Sequence, residues 1–173
     1  MDLRGGNMDH EFYMRMALEE AERVLDMGEF PVGCVLAHDN GLLATGARYH
    51  SMPDGQNELD HAEILALRRL VDSEKEIDRE KVTVFSTLEP CLMCYSALIL
   101  NGIRQVVYAY EDIMGGGTNL DLKRLNPFYQ DMQISIKPGV LREESVSLFK
   151  KFFSDPKNTY LKGTLLEEYT LKQ

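Results

Sequence analysis

The segment VTVFSTLEPCLMCYSALILNGIRQVVYAY, residues 82–110, determines the fold class of this chain. Residues 82–87 are mostly β-branched or apolar and predict a strand, and residues 105–110 predict another. Residues 92–100 are so uniformly apolar that they predict a helix buried on most sides, with Glu89-Pro90 in its opening turn. A strand, a helix and a second strand in this order indicate a parallel β–α–β unit whose sheet is covered by helices on both faces.

Further elements are predicted on both sides of this unit. An Asn40-Gly41 pair between two β-prone runs is a strong signal for a hairpin, and Asp60 is placed to cap a helix. The predicted elements are a helix over residues 9–27, hairpin strands over 30–37 and 42–45, a helix from His61, a strand over 132–136 and a helix over 141–153. The order is therefore α, β-hairpin, α, β, α, β, β and α.

Length and composition restrict the possible functions. The 173 residues predict one domain, with residues 1–8 disordered and residues 154–173 forming a C-terminal extension. No run approaches the roughly 18 apolar residues of a membrane span, so no membrane association is expected. Nineteen Lys and Arg against 28 Asp and Glu give a net charge of −9. This charge excludes a broad basic face for binding duplexes, and a nucleic-acid role would need a local patch.

The number and spacing of the three cysteines indicate the cellular compartment of the protein. Two of them are close together, at Cys91 and Cys94, which is typical of a reduced, cytoplasmic chain with a metal-binding or redox pair. The first ten residues lack the apolar core of a signal peptide. We therefore expect a cytoplasmic protein.

Potential metal ligands lie at the starts of two predicted helices. His61 begins one helix, and Cys91 and Cys94 fall in the first turn of the other. Free backbone N–H groups at a helix N-terminus favour negative charge and so stabilise the thiolates that a metal needs. Zinc suits this set of two sulfur atoms and one nitrogen atom. The remaining cysteine, Cys34, lies within a strand, so three ligands would leave a position open for a water, as in catalytic zinc sites.

Glu63 lies two positions after the histidine, where it can stand beside the ion and move protons. The pattern His-x-Glu followed by Pro-Cys-x-x-Cys is the known signature of zinc deaminases, in which zinc hydroxide attacks the amino-bearing ring carbon and ammonia is released. Each part has another interpretation. Asp60 and Glu63 fit a capping box, Cys91 and Cys94 fit a redox pair, and the whole set fits a metal-bound interaction module without turnover. The combined spacing favours the zinc deaminase, with one Zn²⁺ per chain.

Four stretches resemble the cytidine and deoxycytidylate deaminase superfamily, especially its branch of tRNA adenosine deaminases and guanine or cytosine deaminases. They are Glu29-Phe-Pro-Val-Gly33, His61-Ala-Glu-Ile-Leu-Ala66, Thr87-Leu-Glu-Pro-Cys-Leu-Met-Cys94 and Arg104-Gln-Val-Val-Tyr108. The resemblance implies an α/β fold, a three-layer α/β/α sandwich with a central five-stranded mixed sheet. It also implies zinc on His61, Cys91 and Cys94, a proton shuttle at Glu63, and a homodimer.

The resemblance also implies which residues bind the substrate. Phe30 and Pro31 would form part of an apolar floor under the base, and the backbone of Ala62 would hydrogen bond to its edge. Relatives usually carry asparagine where this chain has Arg48, which could clamp a carboxylate or phosphate or could be a solvated charge at a strand end. The glycine-rich loop at residues 115–117 could close over the pocket or be a flexible turn.

Local charge guides the choice of substrate. Binding to tRNA requires cationic surface near the pocket. Residues 9–29 carry seven acidic and two basic side chains, and residues 156–173 carry three lysines, two glutamates and no arginine. We therefore predict a small substrate, namely a free nucleobase, nucleoside or related aminated heterocycle. Deamination of adenosine to inosine at the wobble position of tRNA is the alternative.

Overall fold

The computed structural model describes residues 8–38, 41–73 and 76–173. Its strands are β1 (Gly33–His38), β2 (Gly41–Ala47), β3 (Thr83–Leu88), β4 (Gln105–Tyr110) and β5 (Ser135–Lys137). The described residues form one five-stranded sheet in the order β2-β1-β3-β4-β5. β1 runs antiparallel to β2 and β3, whereas β4 runs parallel to β3 and β5. The predicted five-stranded mixed sheet and its parallel β3–β4 pair are confirmed.

The helices differ more from the prediction than the strands do. They are α1 (His10–Leu25), α2 (Ala62–Asp72), α3 (Leu92–Leu100), α4 (Pro127–Gln130), α5 (Arg142–Ser154) and α6 (Leu165–Leu171). Sequence patterns predicted four of these helices, but α4 and α6 have no counterpart among the predicted elements. The predicted hairpin pairs His38 with Gly41, although its turn residues 39–40, like residues 1–7, lie outside the described residues. Over the described part of the chain, no helix is both long enough and apolar enough to cross a bilayer.

The core lies on both faces of the sheet, because successive strand residues point to opposite sides. On one face, strand residues pack against α1: Val35, Phe85 and Val107. On the other face, strand residues pack in a cluster with side chains of α2, α3, α5 and α6: Leu36, Val84 and Val106. Helices thus cover both faces, which confirms the three-layer α/β/α sandwich.

Two glycines allow helices to lie directly on the sheet. A Cβ atom at Gly46 in β2 would collide with the carbonyl oxygen of Ala62 and lie 2.7 Å from the amide nitrogen of Ala66. A Cβ atom at Gly33 in β1 would lie 2.7 Å from the amide nitrogen of Ala21 in α1. Glycine is therefore required at both positions. The close approach at Gly46 holds the start of α2 against the sheet.

Two predictions about helix ends are wrong. Asp60 does not cap α2, because its carboxylate is bonded within the preceding loop, 2.8 Å from Asn57 Nδ2 and 2.7 Å from His50 Nδ1. The N-cap is His61, whose side chain makes no capping bond. Pro90 does not lie in the first turn of α3, since the N-cap of that helix is Cys91.

The prediction that α3 is buried on most sides is confirmed for one face of the helix only. Leu98 and Ile99 are buried, whereas Leu92 and Leu100 are 54% and 51% exposed. The helix packs its inner face on the sheet, so residues on its outer side remain at the surface. The uniformly apolar sequence of α3 therefore predicted more burial than the helix has in the structure.

The C-terminal helix α6 is attached to the end of β4 by a polar network. Arg142 forms two hydrogen bonds to the carboxylate of Glu111, of 2.6 and 2.8 Å, and the hydroxyl of Tyr169 in α6 donates to the same carboxylate at 2.7 Å. Hydrogen bonds from Arg142 and Tyr169 lower the pKa of Glu111 to about 2. Tyr110 adds a hydrogen bond of 2.9 Å to Thr170. The last helix is thus held at the carboxyl end of the parallel strands.

We predict that Glu111→Gln lowers the free energy of unfolding near neutral pH by about 1–2 kcal/mol. Folding lowers the pKa of Glu111 from its ordinary value of 4.5 to about 2. The contribution of Glu111 to stability is therefore complete above pH 4.5 and is lost as the pH falls towards about 2. Urea unfolding of both proteins should therefore show a difference near pH 6 that shrinks near pH 3. An equal difference at both pH values would contradict this assignment.

Candidate active site and metal centre

The three predicted metal ligands converge where α2 and α3 begin. His61 and Cys91 are the N-caps of these helices, and Cys94 lies in the first turn of α3. His61 Nδ1 lies 3.5 Å from Cys91 Sγ and 3.4 Å from Cys94 Sγ. The side chain of His61 makes no capping bond to its own helix, so it is available as a ligand. The helix N-termini place partial positive charge beside the thiol groups, as the sequence predicted.

The arrangement of these atoms fits a zinc ion. Tetrahedral zinc with its usual bonds to nitrogen and sulfur would place these atoms about 3.5 Å apart, which matches both distances. Within the described residues, His61, Cys91 and Cys94 are the potential ligands whose donor atoms all lie within 4.8 Å of one another. Three protein ligands leave one tetrahedral position for water or substrate, as in catalytic rather than structural sites.

The thiol groups already interact strongly with each other and with the histidine. Hydrogen bonding from the Cys94 thiol, followed by that from His61, lowers the pKa of Cys91 to about 4. The same hydrogen bond and burial raise the pKa of Cys94. Burial lowers the pKa of His61, but its hydrogen bond to Cys91 raises that pKa on balance. Because a metal binds thiolates, zinc binding must displace the remaining thiol proton.

Glu63 lies in the first turn of α2, buried at 3% exposure, and its carboxylate lines the cavity beside the metal ligands. Ser86 Oγ in β3 donates to Glu63 Oε1 at 2.8 Å. Burial raises the pKa of Glu63. The capping-box interpretation is wrong, because the side chain of Asp60 bonds elsewhere and caps nothing.

Glu58 is a site residue that sequence reasoning missed. Its Oε2 lies 3.3 Å from His61 Nε2 and accepts a hydrogen bond of 3.0 Å from Tyr160. A carboxylate on the outer nitrogen of a histidine ligand fixes the ring and its tautomer, leaving Nδ1 for the metal. No motif includes Glu58, and only its position three residues before the histidine could have indicated this role.

A cavity of about 150 Å³ lies above the metal ligands. Phe30, Ala62 and Arg48, which the sequence predicted to contact the substrate, all line this cavity. Pro31 does not line it, whereas the next residue, Val32, does. The C-terminal residues Tyr160, Leu161 and Leu166 form a further wall, which no sequence pattern indicated.

Arg48 is not a solvated charge, since it is 2% exposed and bonded within the protein. Its guanidinium donates to the carbonyl oxygens of Tyr49 and Asn57, at 2.9 and 2.8 Å, and to Glu58 at 3.2 Å. It also lies over the ring of Tyr160, 5.5 Å from the centroid. These contacts organise the loop before α2 and leave the guanidinium largely engaged by the protein itself.

The glycine-rich loop packs behind the cysteine segment. Gly117 donates a backbone hydrogen bond of 2.9 Å to Pro90, and Gly116 forms a β-bridge with Cys91. A Cβ atom at Gly117 would lie 2.6 Å from the Cα atom of Leu92. Glycine is therefore needed for this close contact. The loop therefore supports Cys91, one of the zinc ligands. This packing matches neither of the two roles expected from the sequence, which were a cover over the pocket and a flexible turn.

Two further acidic residues, Glu89 and Asp112, line the cavity. Glu89 accepts hydrogen bonds from the hydroxyl of Thr118 at 2.5 Å and from the backbone of Asp112 at 3.2 Å. Asp112 accepts backbone hydrogen bonds from Met114 and Gly115, and burial raises its pKa. Together with Glu63, these groups give the cavity an acidic lining.

Comparison with known proteins agrees with this geometry. A family model described as the cytidine and deoxycytidylate deaminase zinc-binding region matches residues 7–110. The chain belongs to the cytidine and deoxycytidylate deaminase family. It is a zinc-dependent deaminase, a hydrolase of C–N bonds, with its zinc site at His61, Cys91 and Cys94. The redox-pair and non-catalytic interpretations of these cysteines are therefore discarded.

Relatives within the deaminase family differ in their substrates. The tRNA-specific adenosine deaminase of Bacillus subtilis is 32% identical over 148 residues, which cover 84% of this chain and 89% of the relative. A solved tRNA:A34 deaminase is 25% identical with a TM-score of 0.63, covering 79% of this chain and 98% of its own. A guanine deaminase from Nitrosomonas europaea is 20% identical with a TM-score of 0.65, covering 84% and 85%, and shows likeness of fold.

Proposed function

We propose that this deaminase hydrolyses the bond between the ring carbon and the amino group of a free nucleobase, nucleoside or related aminated heterocycle, with Glu63 as its proton shuttle. The observation that carries the small-substrate part is the charge of the cavity. The residues that line it include three acidic ones, Glu63, Glu89 and Asp112. Arg48 is the one lysine or arginine among the described residues that line it, and its guanidinium is engaged by the protein. A polyanion would find little to bind here, whereas N–H donors of a neutral ring are well matched.

Glu63 is positioned to transfer protons within the cavity. When bound, zinc supplies a Lewis acid that lowers the pKa of water towards about 7. The carboxylate of Glu63, held by Ser86, accepts the proton that water loses on adding to the ring carbon. It delivers this proton to the ring nitrogen. It then takes the proton of the added hydroxyl group and passes it to the leaving amino group, so that the C–N bond breaks, a carbonyl forms and ammonia departs. Burial raises the pKa of Glu63, which suits a group that must both accept and donate a proton.

Several chain residues would hold the ring during this transfer. Phe30 offers an apolar surface and is itself held by edge-to-face contacts with Phe149 and Phe152 in α5. Val32 and Leu88 extend the apolar wall. Ala62 lies at the start of α2, where its backbone could bond to the edge of the ring. Pro31 does not line the cavity and would support this wall indirectly. Arg48 would act through the loop before α2, which it holds by hydrogen bonds.

Deamination of adenosine in tRNA is the second candidate, favoured by the tRNA-specific adenosine deaminases among the relatives. It requires cationic surface around the cavity opening, and a homodimer, as the resemblance implies, could supply that surface from a second chain. A single domain, a homodimer and a cytoplasmic location accompany either candidate as predictions from the sequence.

An ammonia-release screen tests the proposal. The zinc-loaded protein would be offered free bases, nucleosides, nucleotides, pterins and a tRNA anticodon stem-loop. We expect turnover of at least one base, nucleoside or pterin and none of the stem-loop. Glu63→Ala protein prepared in parallel controls for contaminating deaminases. Turnover of the stem-loop alone, or of nucleotides alone, would overturn the small-substrate proposal.

A further inference from the structure

Tyr160 separates two neighbouring cavities. It lies in the segment between α5 and α6, and it lines the cavity of about 150 Å³ above the metal ligands. It also lines a second cavity of about 220 Å³, together with Met52, Pro53 and residues of the segment that follows α5. The ring of Tyr160 is therefore the partition between the reaction site and additional space beside it.

The ring is held from several sides. The Tyr160 ring makes an edge-to-face contact with Phe30, with the ring centroids 5.2 Å apart. The guanidinium of Arg48 makes a second contact, 5.5 Å from the centroid of the Tyr160 ring. Its hydroxyl donates to Glu58 at 3.0 Å, and that carboxylate also contacts His61. The segment that follows is anchored by Leu166, which is fully buried. A ring with this many contacts is a fixed wall.

The cavity beside the metal ligands, of about 150 Å³, is close to a free base in size. A cavity of about 150 Å³ holds one small ring such as benzene, whereas pockets for larger ligands measure about 300–1,000 Å³. A base can enter the space beside the zinc ligands, but a base with an attached sugar needs more volume. The space that could take the sugar lies behind Tyr160.

We propose that Tyr160 is a specificity-determining residue that restricts this deaminase to free heterocyclic bases and excludes their nucleosides. This inference rests on the small-substrate function proposed above. Glu58 and Arg48 act as positioning residues that hold the ring in place. Removal of the ring joins the two cavities and makes room for a sugar.

The test compares each base with its own nucleoside: guanine with guanosine, cytosine with cytidine, and adenine with adenosine. The zinc-loaded wild type should show higher kcat/KM for the base of the pair that it accepts. Tyr160→Ala should raise kcat/KM for the nucleoside relative to the base by at least about tenfold. Tyr160→Leu, which keeps more of the apolar packing, should shift the ratio in the same direction if the alanine variant folds poorly.

Two controls separate the wall from general effects. Tyr160→Phe keeps the ring and should keep the preference for the base, whatever its effect on the rate. Tyr129→Ala removes another partly buried tyrosine that lines neither cavity, so the ratio should not change. Zinc content and thermal unfolding of every variant confirm that folded holoenzymes are compared.

The possible results separate a failure of the proposed role of Tyr160 from a failure of the small-substrate function. An unchanged ratio in folded Tyr160→Ala and Tyr160→Leu, or a wild type that prefers the nucleoside, overturns the role of Tyr160 and leaves the small-substrate function standing. Turnover of the anticodon stem-loop alone overturns both. A shift towards the nucleoside in the variants that lack the ring, and not in Tyr160→Phe, supports the partition.

Discussion

Replacement of Glu63 by glutamine or alanine is expected to lower kcat by about a thousandfold while one zinc ion per chain is retained. Glutamine preserves the shape of the side chain and can still accept the hydrogen bond from Ser86, but it cannot take up a proton. The zinc ligands are unchanged, so the metal site should stay intact. The measurements are ammonia release on the substrate found in the screen and zinc content after dialysis.

A matched control is available on the protein surface. Glu22 lies on the exposed side of α1, and Glu22→Gln makes the same chemical change far from the cavity. Its kcat should equal that of the wild type. If Glu63→Gln with full zinc retains kcat within about tenfold of the wild type, Glu63 is not the general acid–base group of the reaction.

Replacement of Cys94 by serine is expected to remove zinc and stability together. Cys94 is fully buried at the start of α3, and His61 and Cys91 alone form a weaker site. Because the energy of metal binding contributes to folding, loss of the ion should lower the midpoint of thermal unfolding by at least about 5 °C. Zinc content after dialysis should fall from one ion per chain towards zero.

Cys34→Ala is the matched control for this experiment. Cys34 is also fully buried, within β1, and burial raises the pKa of its thiol, so it stays protonated. Its replacement should cost some packing energy but leave the zinc content unchanged. Treatment with a chelator should bring the wild type down to the unfolding midpoint of Cys94→Ser and leave that variant unaffected. A Cys94→Ser protein with full zinc would exclude Cys94 as a ligand.

Predictions from the sequence succeeded where structure depends on short-range patterns. The strand, helix and strand between residues 82 and 110 were predicted from apolar runs and breakers, and β3, α3 and β4 follow them. They failed where a polar side chain had two possible partners. Asp60 fits an N-cap by position, but Asn57 and His50 in the folded loop compete for its carboxylate. Propensity cannot decide such a competition, because it depends on the path of the loop.

The C-terminal region was the least predictable part. Its helix α6 is only seven residues long, from Leu165 to Leu171, and a helix this short is not stable alone. It forms because Leu166 is buried in the core and Tyr169 bonds to Glu111, 58 positions earlier in the chain. No local pattern contains that information. The wall at Tyr160 was missed for the same reason.

The sequence by itself determined the chemistry of this protein, whereas the tertiary structure decided the shape and charge of the space in which the chemistry occurs. His61, Cys91 and Cys94 could be assigned to zinc because the donor types, the close spacing of the two cysteines and the combined His-x-Glu and Pro-Cys-x-x-Cys motif are visible in the sequence, although His61 lies 30 positions before Cys91. Arg48 and Tyr160 could not be assigned, since they are 112 positions apart and meet only in the folded chain. The metal ligands belong to a motif that the sequence displays, but the boundaries of the cavity depend on contacts between distant segments that no motif marks.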